Sequence, residues 1–384
     1  MDENFKINGI YCGFDATAKS LQIGNLLCIS FLRLAQKTGI KTIALLGGAT
    51  TKVGDPTGKN EARKKLEENA ISENINQFHG QISRLLPGVK ILNNETWLND
   101  WKFMDFLCNT AGNFSLSSLL KLKTFATRLE QNLPLSLQEF MYPIMQAYDF
   151  LWLYENEGCN AEFGGGDQWC NILTGVELIH SKYGQNSEVY EGELNKNRSE
   201  TKALGLTLPL LLNSAGQKMG KSVSGAIYLS GQGTAFDFWQ FWRNIEDSMV
   251  IPCLKKFTLL ELSEIEKLAK LSNINDAKIA LANEVTTWIH GLKSAEMAHN
   301  QAQKIFCQKN LDDFEKVVVN SGKLVEIIVA TKAVKSNSEA KSLIEQNAVK
   351  INNSLITDKE HMENSQEFSL SIGKKKFFKI VRKI

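Results

Sequence analysis

The sequence has few of the residues that mark secreted, metal-bound or membrane proteins. Its seven cysteines are scattered and form no CxxC pair, which argues against disulfides and zinc and favours the reduced thiols of a cytoplasmic protein. Its five histidines match no metal-site or catalytic-triad spacing. No apolar run approaches the length of about eighteen residues needed for a membrane helix, and Met1 is not followed by the basic and apolar segments of a signal peptide.

A large excess of one charge is also missing. The net charge is only +2, so any surface that binds nucleic acid must be local. Residues 373–384 are one candidate, because they carry six lysines and arginines and no acidic residue. By itself this segment fits a solvated basic tail as well as an RNA-binding surface. With 43% hydrophobic residues, the 384-residue chain can fill a sizeable core in roughly two or three domains.

The first half of the chain alternates apolar strands with amphipathic helices, a pattern typical of βαβ units and a parallel sheet. Strands are predicted at 9–14, 42–46, 161–163 and 207–212, and helices at 23–37 and 141–154. Ligands of such sheets bind at the carboxyl ends of the strands, where Asp15 and residues 47–55 fall.

Past residue 229 the pattern becomes helical. Residues 236–242 are rich in aromatic side chains, and helices are predicted at 259–271 and 277–292. A polar linker is predicted at 308–323, followed by helices at 324–330 and 338–346, a strand at 349–351 and the basic tail. The second half is therefore expected to hold an all-helical domain and a small mixed domain.

Two segments indicate phosphate chemistry. The loop Lys218-Met219-Gly220-Lys221-Ser222 places two lysines three residues apart, so that two ammonium groups can reach one polyphosphate. Alone, this loop fits an ordinary solvated surface as well. Far upstream, residues 11–25 are predicted to form a strand end, a turn and a helix start.

Together, these segments resemble the HxGH-type and KMSKS-type signatures of class I aminoacyl-tRNA synthetases. The residues around them, 11–15, 46–50, 54–56 and 164–169, resemble bacterial tyrosyl-tRNA synthetases, and the resemblance runs from about Tyr11 to the C-terminus. It implies a Rossmann-like α/β catalytic domain with a parallel sheet at 1–229. An all-helical domain of the anticodon-binding type is implied at 230–315, and a small α+β, S-four-like RNA-binding domain at 322–384.

The resemblance also implies roles for individual residues. For tyrosine, it assigns Tyr142, Gln146 and Asp55 to the α-amino group, Tyr11 and Asp149 to the phenolic hydroxyl, Gln168 to the carboxylate and Asn94 to the network around Asp55. For ATP, it assigns Cys12, Gly13, Asp15, Gly24, Asn25, Gly165, Asp167 and Lys221. For catalysis, it assigns Lys218, Lys221, Thr17, Gln22 and Asn25. Without the resemblance, Tyr142, Gln146 and Asp149 could equally be the polar face of an amphipathic helix, because their spacing is i, i+4 and i+7.

The sequence departs from the family pattern at several places. Gln22 and Asn25 replace both histidines of the HxGH signature, although each amide keeps an NH2 donor. The chain has ten residues before Tyr11, fewer than the resemblance implies. Residues 181–201 are expected to form an exposed insertion, and Lys59 and Arg63 are either ordinary loop charges or contacts for pyrophosphate.

The implied activity is that of a tyrosine–tRNA ligase, with L-tyrosine, ATP and tRNA(Tyr) as partners and Mg²⁺ accompanying the ATP without a protein ligand that we can name. A cytoplasmic homodimer is expected, and Phe103, Phe106 and Leu107 are candidates for its interface or for the buried core. Two alternatives remain. A tryptophanyl-tRNA synthetase is disfavoured because Tyr11 and Asp149 suit a phenol, and a non-catalytic RNA-binding descendant because the predicted site residues are intact.

Overall fold

The computed structural model divides the chain into two compact units, Met1–Glu296 and Met297–Ile384. The described residues are 6–57, 66–183, 203–209, 221–222, 225–226, 228–229, 234–271, 273–307, 315–334, 336–352, 354–373 and 376–382. In this part of the chain, no helix is long and apolar enough to cross a membrane.

A five-stranded parallel sheet forms the centre of the first unit. Its strands are β1 (Gly9–Phe14), β2 (Lys41–Leu46), β3 (Lys90–Asn93), β4 (Ala161–Gly165) and β5 (Leu204–Leu208), in the order β3-β2-β1-β4-β5. The chain builds outward from β1 to β3 and then crosses to the other side of β1. The order in which strands are added to the sheet therefore reverses between β1 and β4, and this reversal opens a crevice at the carboxyl ends of these two strands. The predicted Rossmann-like fold is confirmed.

Helices connect the strands of this sheet. They are α1 (Ile23–Lys37), α2 (Gly48–Val53), α3 (Glu68–Leu85), α4 (Glu95–Leu98), α5 (Phe103–Asn109), α6 (Leu116–Leu120), α7 (Lys123–Glu130), α8 (Leu137–Glu157) and α9 (Trp169–Tyr183). Helix α8 begins where Ser136 and Glu139 form a capping box, and it ends at Gly158 in the left-handed conformation, with φ 62°. These signals fix the helix that carries Tyr142, Gln146 and Asp149.

A short hairpin and a group of helices complete the first unit. They are β6 (Lys221–Ser222), β7 (Gly225–Ala226), α10 (Ala235–Arg243), α11 (Asp247–Phe257), α12 (Leu262–Ala269), α13 (Ile274–His290) and α14 (Leu292–Cys307), the last of which crosses into the second unit. Residues 234–271 and 273–307 contain helices and no strand, as predicted. Trp239 and Trp242 are fully buried among them, and Trp239 Nε1 donates to Asn283 Oδ1 at 2.7 Å.

The second unit contains a mixed sheet. Its elements are β8 (Glu315–Val319), α15 (Leu324–Ala330), α16 (Asn337–Glu345), β9 (Val349–Ile351), β10 (Ser354–Leu355), β11 (Glu367–Ile372) and β12 (Lys376–Arg382). The strand order is β10-β9-β11-β12-β8, and β12 pairs with β8 in parallel and with β11 antiparallel.

Three expectations about local structure were wrong. The predicted linker at 308–323 contains strand β8, and the predicted basic tail contains strand β12, because the two segments pair with each other. The strand predicted at 207–212 instead spans Leu204–Leu208 and stops before Pro209, which cannot donate to a strand ladder; residues 210–212 lie outside the described residues.

Candidate active site

A cavity of about 350 Å³ lies at the carboxyl ends of β1 and β4, where the sheet topology predicts a ligand site. Most of the predicted site residues line it. They are Tyr11, Cys12, Gly13, Asp15, Thr17, Gly24, Asn25, Asp55, Asn94, Tyr142, Gln146, Asp149, Gly165, Asp167 and Gln168. The fold therefore brings together residues that are up to about 150 positions apart in the sequence, between Tyr11 and Gln168.

Gln22 and the lysine loop are described less completely. Gln22 is the N-cap residue of α1 and is not part of the cavity lining. Its backbone N–H donates to Asn25 Oδ1 at 2.9 Å, which leaves the Asn25 NH2 group available toward the cavity. Lys218 lies outside the described residues, as do Lys59, Arg63 and most of the predicted insertion, whereas Lys221 begins β6.

Residues 228–229, which follow strands β6 and β7, are hydrogen-bonded to the residues just before α1. The Leu229 N–H donates to the Leu21 carbonyl at 2.8 Å, and Tyr228 forms an antiparallel bridge with Gln22. This attachment joins residues 228–229, which follow β7 in the sequence, to the residues just before helix α1.

Asp149 is held at one end of the cavity by two donors. Trp97 Nε1 donates to its Oδ1 at 2.7 Å, and Asn94 Nδ2 donates to its Oδ2 at 2.9 Å. Burial raises the pKa of Asp149 to about 8, against the effect of these hydrogen bonds. Trp97 stacks on Trp152 with ring centroids 4.0 Å apart, so the indole donor is fixed in place.

The expected place of Asn94 beside Asp55 was wrong. The hydrogen bonds of its side chain go to Asp149, to Thr50 Oγ1 and to the Ala49 N–H. Asn94 is therefore a fixed support of Asp149. Trp97, which also supports Asp149, could not be identified from the sequence, because a lone tryptophan is more often part of the core.

Asp15 and Tyr142 form a second polar group in the cavity. Tyr142 Oη donates to Asp15 Oδ2 at 2.9 Å, and Thr50 Oγ1 donates to Asp15 Oδ1 at 2.8 Å. Asp15 follows β1 and Tyr142 lies on α8, so this contact links the sheet to the helix. A Cβ atom at Gly47 would lie 2.2 Å from Asp15 Oδ1, which explains why this close approach requires glycine.

Asp55 and Gln168 form a third polar group. Gln168 Nε2 donates to Asp55 Oδ2 at 2.8 Å, and the Thr57 N–H donates to Asp55 Oδ1 at 2.9 Å. Asn171 in turn donates to Gln168 Oε1 at 3.1 Å and fixes the orientation of the amide. Asp55 is reached by the chain through Gly54, whose φ of 85° few other residues adopt.

Glu162 and Cys28 line the cavity although the sequence interpretation did not include them. Gln146 Nε2 donates to Glu162 Oε1 at 2.9 Å, and burial raises the pKa of Glu162 to about 7. An acidic residue between the apolar Ala161 and Phe163 of a buried strand is the signal that could have identified it. The pKa of Cys12 is raised, mainly by a hydrogen bond with the Cys28 thiol and to a smaller extent by burial.

The charges of the cavity have one sign. Five carboxyl groups line it, those of Asp15, Asp55, Asp149, Glu162 and Asp167, and its described lining contains no lysine or arginine. Such a cavity suits a ligand with an ammonium group and polar ends. A polyphosphate would need positive charge from outside this lining, or the N–H groups at the start of α1, where Gly24 and Asn25 reach the cavity.

Comparisons with known proteins agree with this architecture. Residues 5–307 match the family of class I tRNA synthetases (W and Y), and residues 307–380 match the tyrosine–tRNA ligase SYY-like C-terminal domain. A tyrosine–tRNA ligase of Pelagibacter ubique is 39% identical over 96% of this chain and 91% of its own length. One of Cereibacter sphaeroides is 41% identical over 97% of this chain and 90% of its own length.

A solved structure shows the same likeness. The C-terminally truncated mitochondrial tyrosyl-tRNA synthetase of Aspergillus nidulans aligns with a TM-score of 0.67 and 30% identity, over 78% of this chain and 86% of that one. These matches cover both units of the chain and favour the tyrosine family over the tryptophan family. The chain therefore belongs to the tyrosine–tRNA ligase family of class I aminoacyl-tRNA synthetases.

Proposed function

We propose that this protein activates L-tyrosine with ATP and then charges tRNA(Tyr). In the first step a carboxylate oxygen of tyrosine attacks the α-phosphorus of ATP, the bond to the β-phosphate breaks, and pyrophosphate leaves. In the second step a hydroxyl of the terminal tRNA ribose attacks the carbonyl of tyrosyl-adenylate, and AMP leaves. The observation that carries this proposal is the acidic cavity at the β1–β4 crevice in a chain of this family.

The tyrosine site is the buried part of the cavity. Asp149 accepts the phenolic proton and Tyr11 contacts the phenolic oxygen, because both are polar groups with at most 2% exposure among apolar side chains. A ligand without the hydroxyl would leave them unpaired, which disfavours phenylalanine. Asp55, Tyr142 and Gln146 bind the α-ammonium group, and Gln168 lies near the carboxylate.

ATP binds over the start of α1. Cys12, Gly13, Asp15, Gly24, Gly165 and Asp167 surround the nucleoside, while Thr17 and Asn25 approach the phosphates. The amides at the start of this fifteen-residue helix favour negative charge. Support for the Asn25 role comes from its Oδ1 bond to the Gln22 N–H, which directs its NH2 donor toward the ligand.

Positive charge comes from Lys218 and Lys221, and from Mg²⁺ bound to the phosphates of ATP. The described residues contain no group of three His, Cys, Asp or Glu side chains arranged to hold a metal ion. Mg²⁺ would accompany ATP as part of the substrate and would add positive charge near the pyrophosphate, beside Lys218 and Lys221. Gln22, the N-cap residue of α1, contributes to catalysis from this position at the helix start.

tRNA binds through the helical domain at 230–315 and the domain at 322–384, with catalysis confined to 1–229. The match of the second unit to a C-terminal domain of tyrosine–tRNA ligases supports RNA binding there. Strand β12 supplies basic residues, although Lys379 is already paired with Glu367 at 2.7 Å. Lys376 and Arg382 donate to the carbonyl oxygens of Ala333 and Glu363, and their remaining N–H groups are candidates for phosphate contacts.

A homodimer forms through an exposed apolar face of α5 to α8. Phe103 is 72% exposed and Leu137 is 75% exposed. Leu107 and Leu116, which lie between them in the sequence, are exposed as well. Phe106, the third interface candidate, is buried against Leu119 and Ile144 instead. A second copy of the chain is the occupant that the family resemblance implies. Sedimentation equilibrium should give twice the chain mass of 43.0 kDa, and a single-chain mass at micromolar concentration would contradict the dimer.

The cytoplasm is the proposed location, because the thiols of Cys12, Cys28, Cys108, Cys159, Cys170 and Cys253 are all free. The function itself is tested by tyrosine-dependent ATP–pyrophosphate exchange on the purified protein, with phenylalanine and tryptophan as controls. Exchange with tyrosine alone is expected. Exchange with tryptophan instead would move the substrate assignment, and folded protein that binds RNA without any exchange would support the non-catalytic alternative.

A further inference from the structure

Glu162 is a buried acidic residue of the cavity whose two oxygens have different surroundings. The side chain belongs to β4 and is 2% exposed. Its Oε1 accepts from Gln146 Nε2 at 2.9 Å. Its Oε2 is buried and has no hydrogen-bond partner among the described residues. A buried polar atom without a partner is costly, so this oxygen needs either a proton or a donor.

Tyr11 is the neighbour that can complete this group. The parallel pairing of β1 with β4 sets Tyr11 opposite Glu162, which directs both side chains to the same face of the sheet. The Tyr11 Oη is also buried and makes no hydrogen bond of normal geometry. Burial, and then the nearby Glu162 carboxylate, raise the pKa of Tyr11. Two incomplete polar groups therefore face each other on the cavity wall.

The charges around Glu162 favour its protonated form. The titratable groups that interact with it are Tyr11 and Cys12 on β1, Asp149 on α8 and Cys159 before β4, and none of them carries a positive charge. Burial raises the pKa of Glu162, opposed only by Gln146 and Tyr11. In this low-dielectric site two carboxylates cannot both ionise without a large penalty.

Asp149 is the better carboxylate of the two. It accepts hydrogen bonds from Asn94 and Trp97, whereas Glu162 accepts from Gln146 alone with normal geometry. Hydrogen bonds to a carboxylate stabilise its ionised form. Burial raises the pKa values of both groups. Asp149 has a donor on each of its oxygens, whereas Glu162 Oε2 has none, so the shared proton lies on Glu162 Oε2 and the charge on Asp149.

We propose that Glu162, acting as a neutral carboxylic acid, is a specificity-determining residue for the phenolic hydroxyl of tyrosine. This inference rests on the function proposed above. The protonated Glu162 Oε2 donates a hydrogen bond to Tyr11 Oη. The Tyr11 hydroxyl can then donate its own hydrogen bond to the phenolic oxygen of the substrate. Asp149 then accepts the substrate's hydroxyl proton. Glu162 Oε1 keeps the Gln146 NH2 group, which turns the Gln146 carbonyl oxygen toward the substrate's ammonium group.

Loss of the Glu162 proton reverses the contact with Tyr11. The carboxylate accepts the Tyr11 proton, and Tyr11 no longer donates to the substrate. The KM for tyrosine should therefore rise between about pH 6.5 and about pH 8.5 by about two- to tenfold, the value of one hydrogen bond between neutral groups. The KM for ATP should not change with it. Selectivity against phenylalanine should decline over the same range.

Glu162→Gln tests the inference directly, because an amide has the shape and the hydrogen-bonding pattern of the neutral acid. Its oxygen can accept from Gln146 and its NH2 group can donate to Tyr11. ATP–pyrophosphate exchange would be measured across this pH range with tyrosine and phenylalanine. The variant is expected to keep the low tyrosine KM of the wild type at acidic pH throughout, and to lose the pH dependence.

Glu157→Gln is the matched control. Glu157 pairs at the surface with Lys41 and Lys90, and this variant should keep the pH dependence of the wild type. A Glu162→Gln profile that rises with pH like the wild type would overturn the inference. So would a tyrosine KM raised more than tenfold at every pH, which would show that an ionised carboxylate is required. Absence of tyrosine-dependent exchange in the wild type would overturn the proposed function, and the inference with it.

A second measurement needs no variant. Titration calorimetry of tyrosine binding to the wild type, at about pH 7.5 in two buffers of different ionisation enthalpy, reports protons taken up on binding. Net uptake is expected, because binding favours the protonated form of Glu162. Proton release, or no exchange of protons, would contradict the inference even if the variant failed to fold.

Discussion

The replacement Asp149→Asn should weaken tyrosine binding without weakening ATP binding. Asp149 is 2% exposed, and both of its oxygens accept hydrogen bonds, from Trp97 and from Asn94. An asparagine offers one oxygen and one NH2 group, so one of the two donors must face another donor. Asn94 cannot turn its amide around, because its Oδ1 accepts from the Ala49 N–H at 2.9 Å. The substrate's hydroxyl also loses an ionised acceptor.

The magnitude follows from these contacts. A hydrogen bond to a charged group contributes about 1.5–3 kcal/mol, and about 1.4 kcal/mol corresponds to a factor of ten. The KM for tyrosine should therefore increase by about tenfold to about 150-fold. The KM for ATP should stay within about twofold, since Asp149 is not among the proposed nucleotide contacts.

ATP–pyrophosphate exchange, with each substrate varied in turn, measures both constants, and thermal unfolding checks the fold. Asp276→Asn, at an exposed position in the first turn of α13, is the matched control and should change neither constant. Equal increases in the two KM values would refute the assignment of Asp149 to tyrosine. An increase in the tyrosine KM below about threefold would refute the hydrogen-bond argument.

Three further predictions concern other parts of the molecule. Gly47→Ala would place a Cβ atom 2.2 Å from Asp15 Oδ1 and should strongly reduce exchange. Gly80→Ala is the control, because a Cβ atom there, in the exposed part of α3, meets nothing within 4 Å. This variant should keep full exchange and stabilise the fold by about 0.5–1 kcal/mol. Truncation after Cys307, which removes β8 together with its partner β12, should spare exchange but cripple tRNA charging; an unchanged charging rate would exclude RNA binding by the second unit. The free energy of unfolding should fall as pH rises from about 5 to about 8, because burial raises the pKa values in the Asp149–Glu162 pair and the folded pair holds a proton that the unfolded chain has released. Urea unfolding of Glu162→Gln should show a smaller decline than the wild type, and an equal decline would contradict this account.

The parts of the fold that depend on local signals could be predicted from the sequence. Strand β1 and helix α1 have the predicted bounds, because an apolar run ended by a turn and a 3.6-residue period are local patterns. Strands β8 and β12 were missed because charged residues interrupt their apolar residues and because each is stabilised by pairing with a segment about sixty residues away. Such pairing leaves no local signal beyond alternation, which lysines and glutamates obscured here.

The same distinction applies to the cavity. Tyr142, Gln146 and Asp149 could be grouped from their spacing on one helix, and all three reach the cavity. Glu162 could not be grouped with Tyr11 in this way, since their proximity depends on the register between β1 and β4. The true partner of Asn94 was also hidden, because it depends on how the connection after β3 approaches α8.

The arrangement of charge separates the two substrates of the proposed reaction. Five carboxyl groups, and no lysine or arginine, belong to the described lining of the cavity. This attracts the ammonium group of an amino acid but repels triphosphate. Lys221 instead lies on β6, outside this lining, and Leu229, which follows it in the sequence, is tied to α1 by its hydrogen bond to Leu21. Cations fixed inside the cavity would pair with its carboxylates and occupy the groups that recognise tyrosine in the proposed reaction. The positive charge is therefore better held on a separate loop, which in that reaction meets the phosphates at the start of α1.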